Sequence, residues 1–188
     1  EDMAISVTHS GYIKRTPLSV YRAQRRGGKG RTGMATREQD FVSELFIANT
    51  HDKILFFSSM GKVYKTKAYR LPAASPASRG KAMVNLLPLA EGEVITTVMP
   101  WPGKTRRDSD QIFLFFATAK GNIRRNALAD FERIHSVGKI AIGLPKGDRL
   151  IGVRPCTETD DALLAARNGK CIRFPITEDP PQGRVDTM

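Results

Sequence analysis

Short apolar runs alternate with glycine-containing polar turns along much of the chain. Three pairs of runs flank such a turn: Lys53–Ser58 with Lys62–Thr66, Ile112–Thr118 with Asn122–Arg125, and Ala162–Ala166 with Cys171–Phe174. Two β-rich runs joined by a short polar loop with glycine are typical of a β-hairpin. Further strand candidates lie one step upstream of these hairpins, at Val42–Ala48, Val94–Met99 and Leu150–Val153. The pattern predicts an all-β chain.

Helix is expected almost nowhere. Leu128–Ile134 is predicted to form a short turn, and the alanine-rich stretch Asp160–Arg167 is predicted to be a strand because Gly169 and the hairpin pattern follow it. Two loops are predicted outside the hairpins, at Pro72–Ser78 and Pro100–Asp110. The aromatic residues fall mostly on apolar strand positions, so we expect these to lie in the core: Tyr12, Tyr21, Phe41, Phe46, Phe56, Phe57, Tyr64 and Phe113.

One motif recurs along the chain: a polar or small residue, a glycine, and an apolar residue flanked or followed by basic ones. Its glycines are Gly11, Gly61, Gly121 and Gly169, a period of about 50 residues. A longer basic loop with glycine beside Lys or Arg follows in the first three repeats. Such a period with short strands predicts a propeller-like array of roughly four four-stranded blades. We place the repeats of this single domain (1–188) at about 1–50, 51–105, 106–150 and 151–188. After Pro175-Ile176 the chain becomes Pro-rich and acidic, so the last blade is expected to be incomplete.

The charge balance indicates a polyanionic partner. The chain has 30 Lys plus Arg against 19 Asp plus Glu, a net charge of +11. Residues 11–37 and 53–90 contain basic residues and no acidic residue. If each repeat is a blade, these clusters share one rim, which suits the regularly spaced charges of duplex DNA. A merely solvated charged face is the alternative, but the interspersed acids typical of such a face are missing from these segments.

A membrane partner and a redox or metal scaffold are not expected. The longest apolar stretch, Ile112–Ala119, is far shorter than the ~20 residues that span a bilayer. The start of the chain has no signal-peptide pattern and no initiating Met, so we expect a cytosolic fragment of a longer protein. Cys156 and Cys171 form no CxxC motif and are expected to be buried thiols. His9, His51 and His135 are isolated, so no metal site or catalytic residue is predicted.

The most distinctive local feature is Gln24-Arg25-Arg26-Gly27-Gly28-Lys29-Gly30. Its glycines permit positive φ and close approach, so main-chain N–H groups can point at a phosphate. Arg25 and Arg26 can each bind phosphate oxygens through two donors, and Lys29 adds a point charge. Such contacts position DNA rather than read its sequence. A dinucleotide-binding loop is disfavoured because no buried strand precedes it, and a P-loop is excluded because Gly30 follows Lys29.

These seven residues match in full the box that marks the A subunit of DNA gyrase. The surrounding Gly11-Tyr12-Ile13-Lys14-Arg15-Thr16-Pro17-Leu18 and Tyr21-Arg22-Ala23 resemble the first blade of that family's C-terminal domain. The resemblance continues through Gly61-Lys62-Val63-Tyr64-Lys65, Arg79-Gly80-Lys81-Ala82, Leu86-Leu87-Pro88-Leu89, Arg124-Arg125-Asn126 and Gly138-Lys139-Ile140-Ala141. It is expected to end near Pro175.

The resemblance implies a β-pinwheel whose outer rim binds and wraps duplex DNA, in support of negative supercoiling by DNA gyrase. It also implies that the protein partners are the gyrase B subunit plus the rest of the gyrase A subunit, in the nucleoid-associated cytoplasm. ATP, Mg and strand cleavage belong to other domains, so the fragment is expected to be non-catalytic and to bind no cofactor. Besides the box, the predicted DNA-binding residues are Lys14, Arg15, Arg22, Arg31, Lys62, Lys65, Arg79, Lys81, Arg124, Arg125, Lys139, Lys170 and Arg173.

Three other functions stay open at this point. The topoisomerase IV counterpart shares the blade motifs and binds DNA, but it generally lacks an intact box and strong wrapping. A propeller-like protein-interaction scaffold would expose apolar or aromatic anchors and tolerate loss of charge. An RNA-binding module would need exposed aromatic side chains on which bases stack.

Overall fold

The computed structural model describes residues 1–21, 33–36 and 38–176. Within them the strands are β1 Asp2–Thr8, β2 Tyr12–Pro17, β3 Val42–Asn49, β4 Lys53–Ser58, β5 Lys62–Lys67, β6 Lys81–Ala82, β7 Ile95–Pro100, β8 Phe113–Thr118, β9 Ile123–Ala127, β10 Lys139–Ile140, β11 Leu150–Cys156, β12 Asp161–Ala165 and β13 Cys171–Pro175. The helices are α1 Arg106–Gln111 and the short 3₁₀ helices Leu18–Val20, Ala68–Arg70, Met83–Asn85 and Leu128–Phe131. The all-β prediction is confirmed.

Four β-hairpins organise the described part of the chain, and each of the first three forms a sheet with a strand that comes after it. The pairs β1–β2, β4–β5, β8–β9 and β12–β13 are antiparallel. A later strand returns to the first strand of each of the first three hairpins, so β3 pairs with β1, β7 with β4 and β11 with β8. The candidates Val42–Ala48 and Val94–Met99 therefore belong to the sheet of the preceding hairpin, not to that of the following one. All three pairings have a register shift near the turn of the hairpin.

Two very short strands cross from one repeat to the sheet of the previous one. β6 pairs with β2 through Tyr12↔Ala82 and Ile13↔Lys81. β10 pairs with β5 in the same way, through Lys139↔Val63 and Ile140↔Lys62. We call β6 and β10 the exchange strands. Each exchange strand directly follows the recurrent glycine and begins with the basic residue beside it. We had predicted this segment to be a loop.

Glycine is required where each exchange strand begins. Gly80 has a φ of +79°, and a Cβ there would lie 2.3 Å from the Ile13 carbonyl oxygen. Gly138 has a φ of +87°, and a Cβ would lie 2.7 Å from the Tyr64 ring. Both the left-handed backbone and the close approach exclude a larger residue without rearrangement.

The sheets form a propeller-like array with an inner and an outer side. Among the described residues the strand orders are β3-β1-β2-β6, β10-β5-β4-β7, β11-β8-β9 and β12-β13. The return strands are β3, β7 and β11; β7 contacts both β3 and β11, and these strands form the inner side. The exchange strands lie at the opposite, outer edges. The expected propeller-like array is confirmed, and the described residues of its last sheet form the two strands β12 and β13, while the predicted repeat bounds stay a prediction.

The core consists of apolar layers between successive sheets. Ile54 and Phe56 of β4 pack toward the first sheet, and Leu55 and Phe57 pack toward the third. Both faces of this strand are thus buried, which explains its continuous apolar run. A smaller layer that includes Phe115 joins the third sheet to the fourth.

Three predictions of local structure are wrong. The predicted loop Pro100–Asp110 contains most of α1, which begins with a capping box in which Thr105 Oγ1 accepts from the N–H of Asp108 at 3.2 Å. Cys156 is buried as expected, but Cys171 is exposed because the described residues place nothing over its face of the last sheet. Tyr21 and Phe41 are exposed rather than in the core, since they lie outside the strands.

Candidate nucleic-acid interface

Part of the predicted DNA-binding surface belongs to residues outside those that the structure describes. This part comprises the box residues Gln24, Arg25, Arg26, Gly27, Gly28, Lys29 and Gly30, together with Arg22 and Arg31.

Exposed basic side chains lie on the outer edges of the successive sheets. Lys81 and Lys139 occupy equivalent positions on the two exchange strands, and both are exposed. Lys62 is half-buried and lies on β5 opposite Ile140 of the exchange strand. Arg124 on the edge strand β9 and Lys170 in the β12–β13 turn are also exposed. We call Lys62, Lys81, Arg124, Lys139 and Lys170 the outer basic edge.

Arg173 lies on the same side but already has an acidic partner. Its Nη2 is 2.5 Å from Asp161 Oδ2, and this is the ion pair found among residues 1–21, 33–36 and 38–176. The other basic side chains of the described segments therefore keep a charge that no carboxylate neutralises at contact distance.

The prediction that Lys14 contacts DNA is wrong. The side chain is fully buried, and its ammonium donates to the carbonyl oxygens of Ser75 at 2.9 Å, Pro76, and Ser78 at 2.8 Å. Burial lowers the pKa of Lys14. An ammonium with three carbonyl partners and no exposed surface has no donor left for a phosphate.

Two further predicted contacts also connect adjacent repeats, each through one hydrogen bond. Arg15 Nε donates to the carbonyl oxygen of Leu71 at 2.8 Å, and Lys65 Nζ donates to that of Glu132 at 2.8 Å. Arg15 and Lys65 occupy equivalent positions on β2 and β5, so the basic residue there holds the loop of the next repeat.

Arg79 and Arg125 lie over aromatic rings. Cζ of Arg79 is 3.5 Å from the centre of the Tyr12 ring, and Cζ of Arg125 is 4.1 Å from that of Phe113. Both guanidinium groups are half-buried and have one buried nitrogen without a hydrogen-bond partner, Nε of Arg79 and Nη1 of Arg125. Cation–π contact fixes their position and leaves the other nitrogens for a ligand.

Acidic residues hold the chain before each return strand, and sequence reasoning missed this. Asp40, Glu93 and Asp148 precede β3, β7 and β11. Asp40 accepts from the N–H groups of Ser10 and Phe41 at 2.9 and 3.0 Å, Glu93 accepts from Ser58 Oγ at 2.9 Å, and Asp148 accepts from Asn122 Nδ2 at 2.9 Å. These carboxylates bind their own repeat and do not neutralise the outer basic edge. The available signal was an acidic residue two positions before each return strand.

Among the described residues the arrangement provides separated point charges. The described segments contain no cluster of His, Cys, Asp and Glu able to hold a metal ion. They also contain no helix long and apolar enough to cross a membrane. Ammonium groups on successive edges can contact a regularly charged backbone without reading bases.

A family model described as "DNA gyrase C-terminal domain, beta-propeller" matches residues 2–49, 52–102, 113–157 and 160–185. The chain belongs to this DNA gyrase C-terminal domain family. The match runs to residue 185, so the resemblance extends past Pro175, where we expected it to end.

Relatives of this family are close in sequence but much longer. The DNA gyrase A subunit of Rickettsia bellii is 51% identical over 176 residues, which is 94% of this chain and 19% of the relative. The DNA gyrase A subunit of Escherichia coli strain K12 is 44% identical over 174 residues, again 19% of its length. The chain thus spans about a fifth of the curated relatives it matches.

Two solved structures share the fold. The C-terminal domain of DNA topoisomerase IV matches 95% of this chain and 53% of its own, with a TM-score of 0.77 and 23% identity. The DNA gyrase A C-terminal domain matches 98% of this chain and 58% of its own, with a TM-score of 0.67 and 24% identity. At these identities the likeness supports the propeller-like fold and nothing finer.

Proposed function

We propose that this chain binds duplex DNA without sequence specificity along the outer basic edge and wraps it with a defined hand. The observation that carries the proposal is the equivalent placement of Lys81 and Lys139. Both are exposed, both lie on exchange strands at the outer edges of adjacent sheets, and neither has a carboxylate partner among the described residues. A duplex that follows these edges must bend, because successive blades turn about the inner strands.

The wider role follows from membership in the family. We infer that the chain is a non-catalytic part of the A subunit of a DNA gyrase. Its wrap would support negative supercoiling in the cytoplasm, together with the gyrase B subunit. The energy source and the strand-cleaving residues would lie in other segments. Wrapping here needs only cationic contacts at intervals, which the outer basic edge and the box Gln24–Gly30 supply.

A topology assay tests the proposal. The chain is bound to nicked circular plasmid, the nick is ligated, the protein is removed, and the linking number is read on a chloroquine gel. A positive shift supports chiral wrapping. Tight binding without a shift would support the topoisomerase IV type of domain, and no binding would favour the protein-interaction scaffold.

A further inference from the structure

Three lysines of the second sheet lie side by side on one face, close to the one tryptophan of the chain. Lys53 of β4 is directly opposite Lys67 of β5, and Lys65 lies on the same face two residues away. Trp101 follows β7 and lines an open cavity of about 820 Å³ together with Lys53 and Lys67. We call Lys53, Lys65 and Lys67 the lysine cluster.

A neutral group holds each ammonium of the cluster. Lys53 Nζ is 5.1 Å from the centre of the Trp101 ring. Lys65 Nζ donates to Glu132 O at 2.8 Å, and Lys67 Nζ donates to His51 O at 2.7 Å. An ammonium has three donors, so one neutral acceptor fixes its position and leaves its charge and two donors free.

The cluster carries positive charge that its surroundings do not remove. Burial lowers the pKa of Lys65, and repulsion from Lys53 and Lys67 lowers it further, against the opposing effect of Glu132. The carboxylate of Asp52 also lines the cavity, but it accepts the N–H of Asn49 at 2.8 Å. Neither acid forms an ion pair with the cluster at the positions that the structure describes. Like charges directly opposite each other destabilise a sheet, and a bound anion would relieve this repulsion.

We propose that the lysine cluster and Trp101 form a phosphate-binding site, distinct from the outer basic edge, that takes a phosphate of the duplex backbone. Ammonium groups that retain free donors suit an anion with several oxygens. The choice of DNA rests on the proposed function. Lys62 of the outer basic edge and Lys67 of the cluster lie at opposite ends of β5, roughly 17 Å apart at 3.3 Å per residue. Because the two lysines are an odd number of residues apart, their side chains lie on opposite faces of the sheet, so the cluster takes a different phosphate from the one near Lys62.

The tryptophan makes the site directly observable. The chain contains a single Trp, so its emission reports on this cavity alone. Emission is followed while the chain is titrated with a short blunt-ended duplex and, separately, with inorganic pyrophosphate. The duplex affinity is also measured over a range of salt concentrations. The test variant is Lys53→Gln with Lys67→Gln, and the control is Lys146→Gln, an exposed lysine outside both sites. Thermal melting verifies that each variant is folded.

We expect both ligands to change the emission of the unmodified chain. In the double variant the pyrophosphate response is lost, and the log–log salt slope for duplex falls by about 0.9, because the site that is lost holds one phosphate. The control variant retains both responses. Duplex binding with unchanged emission and an unchanged slope in the double variant would overturn this site and leave the proposed function standing.

Failure of the proposed function gives a different result. In that case the duplex does not bind, and the pyrophosphate titration alone shows whether the lysine cluster binds phosphate. A response that the double variant loses supports a site for free phosphate compounds. No response in the unmodified chain refutes the site.

Discussion

The Tyr64 hydroxyl donates to Glu93 Oε1 at 2.7 Å in the layer between the first and second sheets. Ser58 Oγ donates to the same carboxylate at 2.9 Å. Burial, and then Glu93, raise the pKa of the Tyr64 hydroxyl, so it stays protonated as a donor. Gly138 lies against the ring of Tyr64. One tyrosine thus connects a hairpin, the segment before a return strand and the start of an exchange strand.

We expect Tyr64→Phe to lower the free energy of unfolding by about 1–3 kcal/mol, because a buried carboxylate loses a hydrogen-bond donor. Chemical denaturation measures the change. Tyr12→Phe is the matched control, since its ring lies under Arg79 and its hydroxyl is not in the buried network. That variant should stay within about 0.5 kcal/mol of the parent. Equal losses in the two variants would contradict the role given to Tyr64.

Gly80→Ala should destabilise the chain more than Gly92→Ala. Both glycines have positive φ, +79° and +76°, so placing alanine in this left-handed conformation costs roughly 1–2 kcal/mol of stability at either position. An added Cβ meets Ile13 O at 2.3 Å at Gly80 and nothing within 4 Å at Gly92. The difference between their unfolding free energies therefore isolates the close approach of the exchange strand. Gly143→Ala, with open space and ordinary φ, should be nearly neutral.

The hairpins were predictable because period-2 alternation, apolar runs and turn glycines are local signals. The exchange strands were not, because Lys81–Ala82 is a two-residue strand whose partner, β2, lies in the previous repeat. A two-residue strand has no periodicity of its own. The recurrence of glycine beside a basic residue was visible, but only the contact with Ile13 shows why glycine is needed there.

Asp40 should make stability fall in acid. Desolvation raises its pKa, but hydrogen bonds from Ser10, Thr8 and Phe41 outweigh this effect and lower the pKa to about 2. In the unfolded chain an Asp titrates at about 3.9. Its contribution is therefore full above that value and is lost as the pH falls from about 4 to about 2. Asp40→Asn should be less stable than the parent at neutral pH, and the difference should shrink across this window in denaturation curves recorded at several pH values.

Replacing Arg25, Arg26 and Lys29 with Ala should weaken duplex binding to a similar extent on any sequence. Each lost phosphate contact should also lower the log–log salt slope by roughly 0.9. Binding of several unrelated duplexes over a range of salt concentrations measures both effects. An affinity and slope equal to those of the parent would remove the function assigned to this loop, and a loss confined to one duplex would indicate base readout instead.

Residues at one position of the repeated motif have different environments, and the sequence alone does not show which of them are buried. Lys14, Tyr64 and Arg124 occupy equivalent positions three residues after the motif glycine, yet Lys14 and Tyr64 are buried and Arg124 is exposed. The difference arises from the next repeat. The carbonyls of residues 75–78 cover Lys14, and Gly138 lies on Tyr64. Burial of these side chains thus depends on contacts about 60 or more residues away, as at Lys14 and Ser75, where the separation is 61.

We expect Lys14→Gln to change stability but not DNA binding, and Lys81→Gln to change DNA binding but not stability. Loss of the buried Lys14 ammonium removes its charged hydrogen bonds to the carbonyl oxygens of Ser75 and Ser78, so the free energy of unfolding should fall by about 1–3 kcal/mol. Because Lys14 offers nothing to a phosphate, the salt slope of the folded variant should not change. Exposed Lys81 should show the reverse, with stability within about 0.5 kcal/mol of the parent and a slope lower by roughly 0.9. Denaturation and salt-dependent duplex binding of both variants provide the comparison. A lower slope for folded Lys14→Gln would return this lysine to the DNA interface, and an unchanged slope for Lys81→Gln would exclude the exchange strand from it.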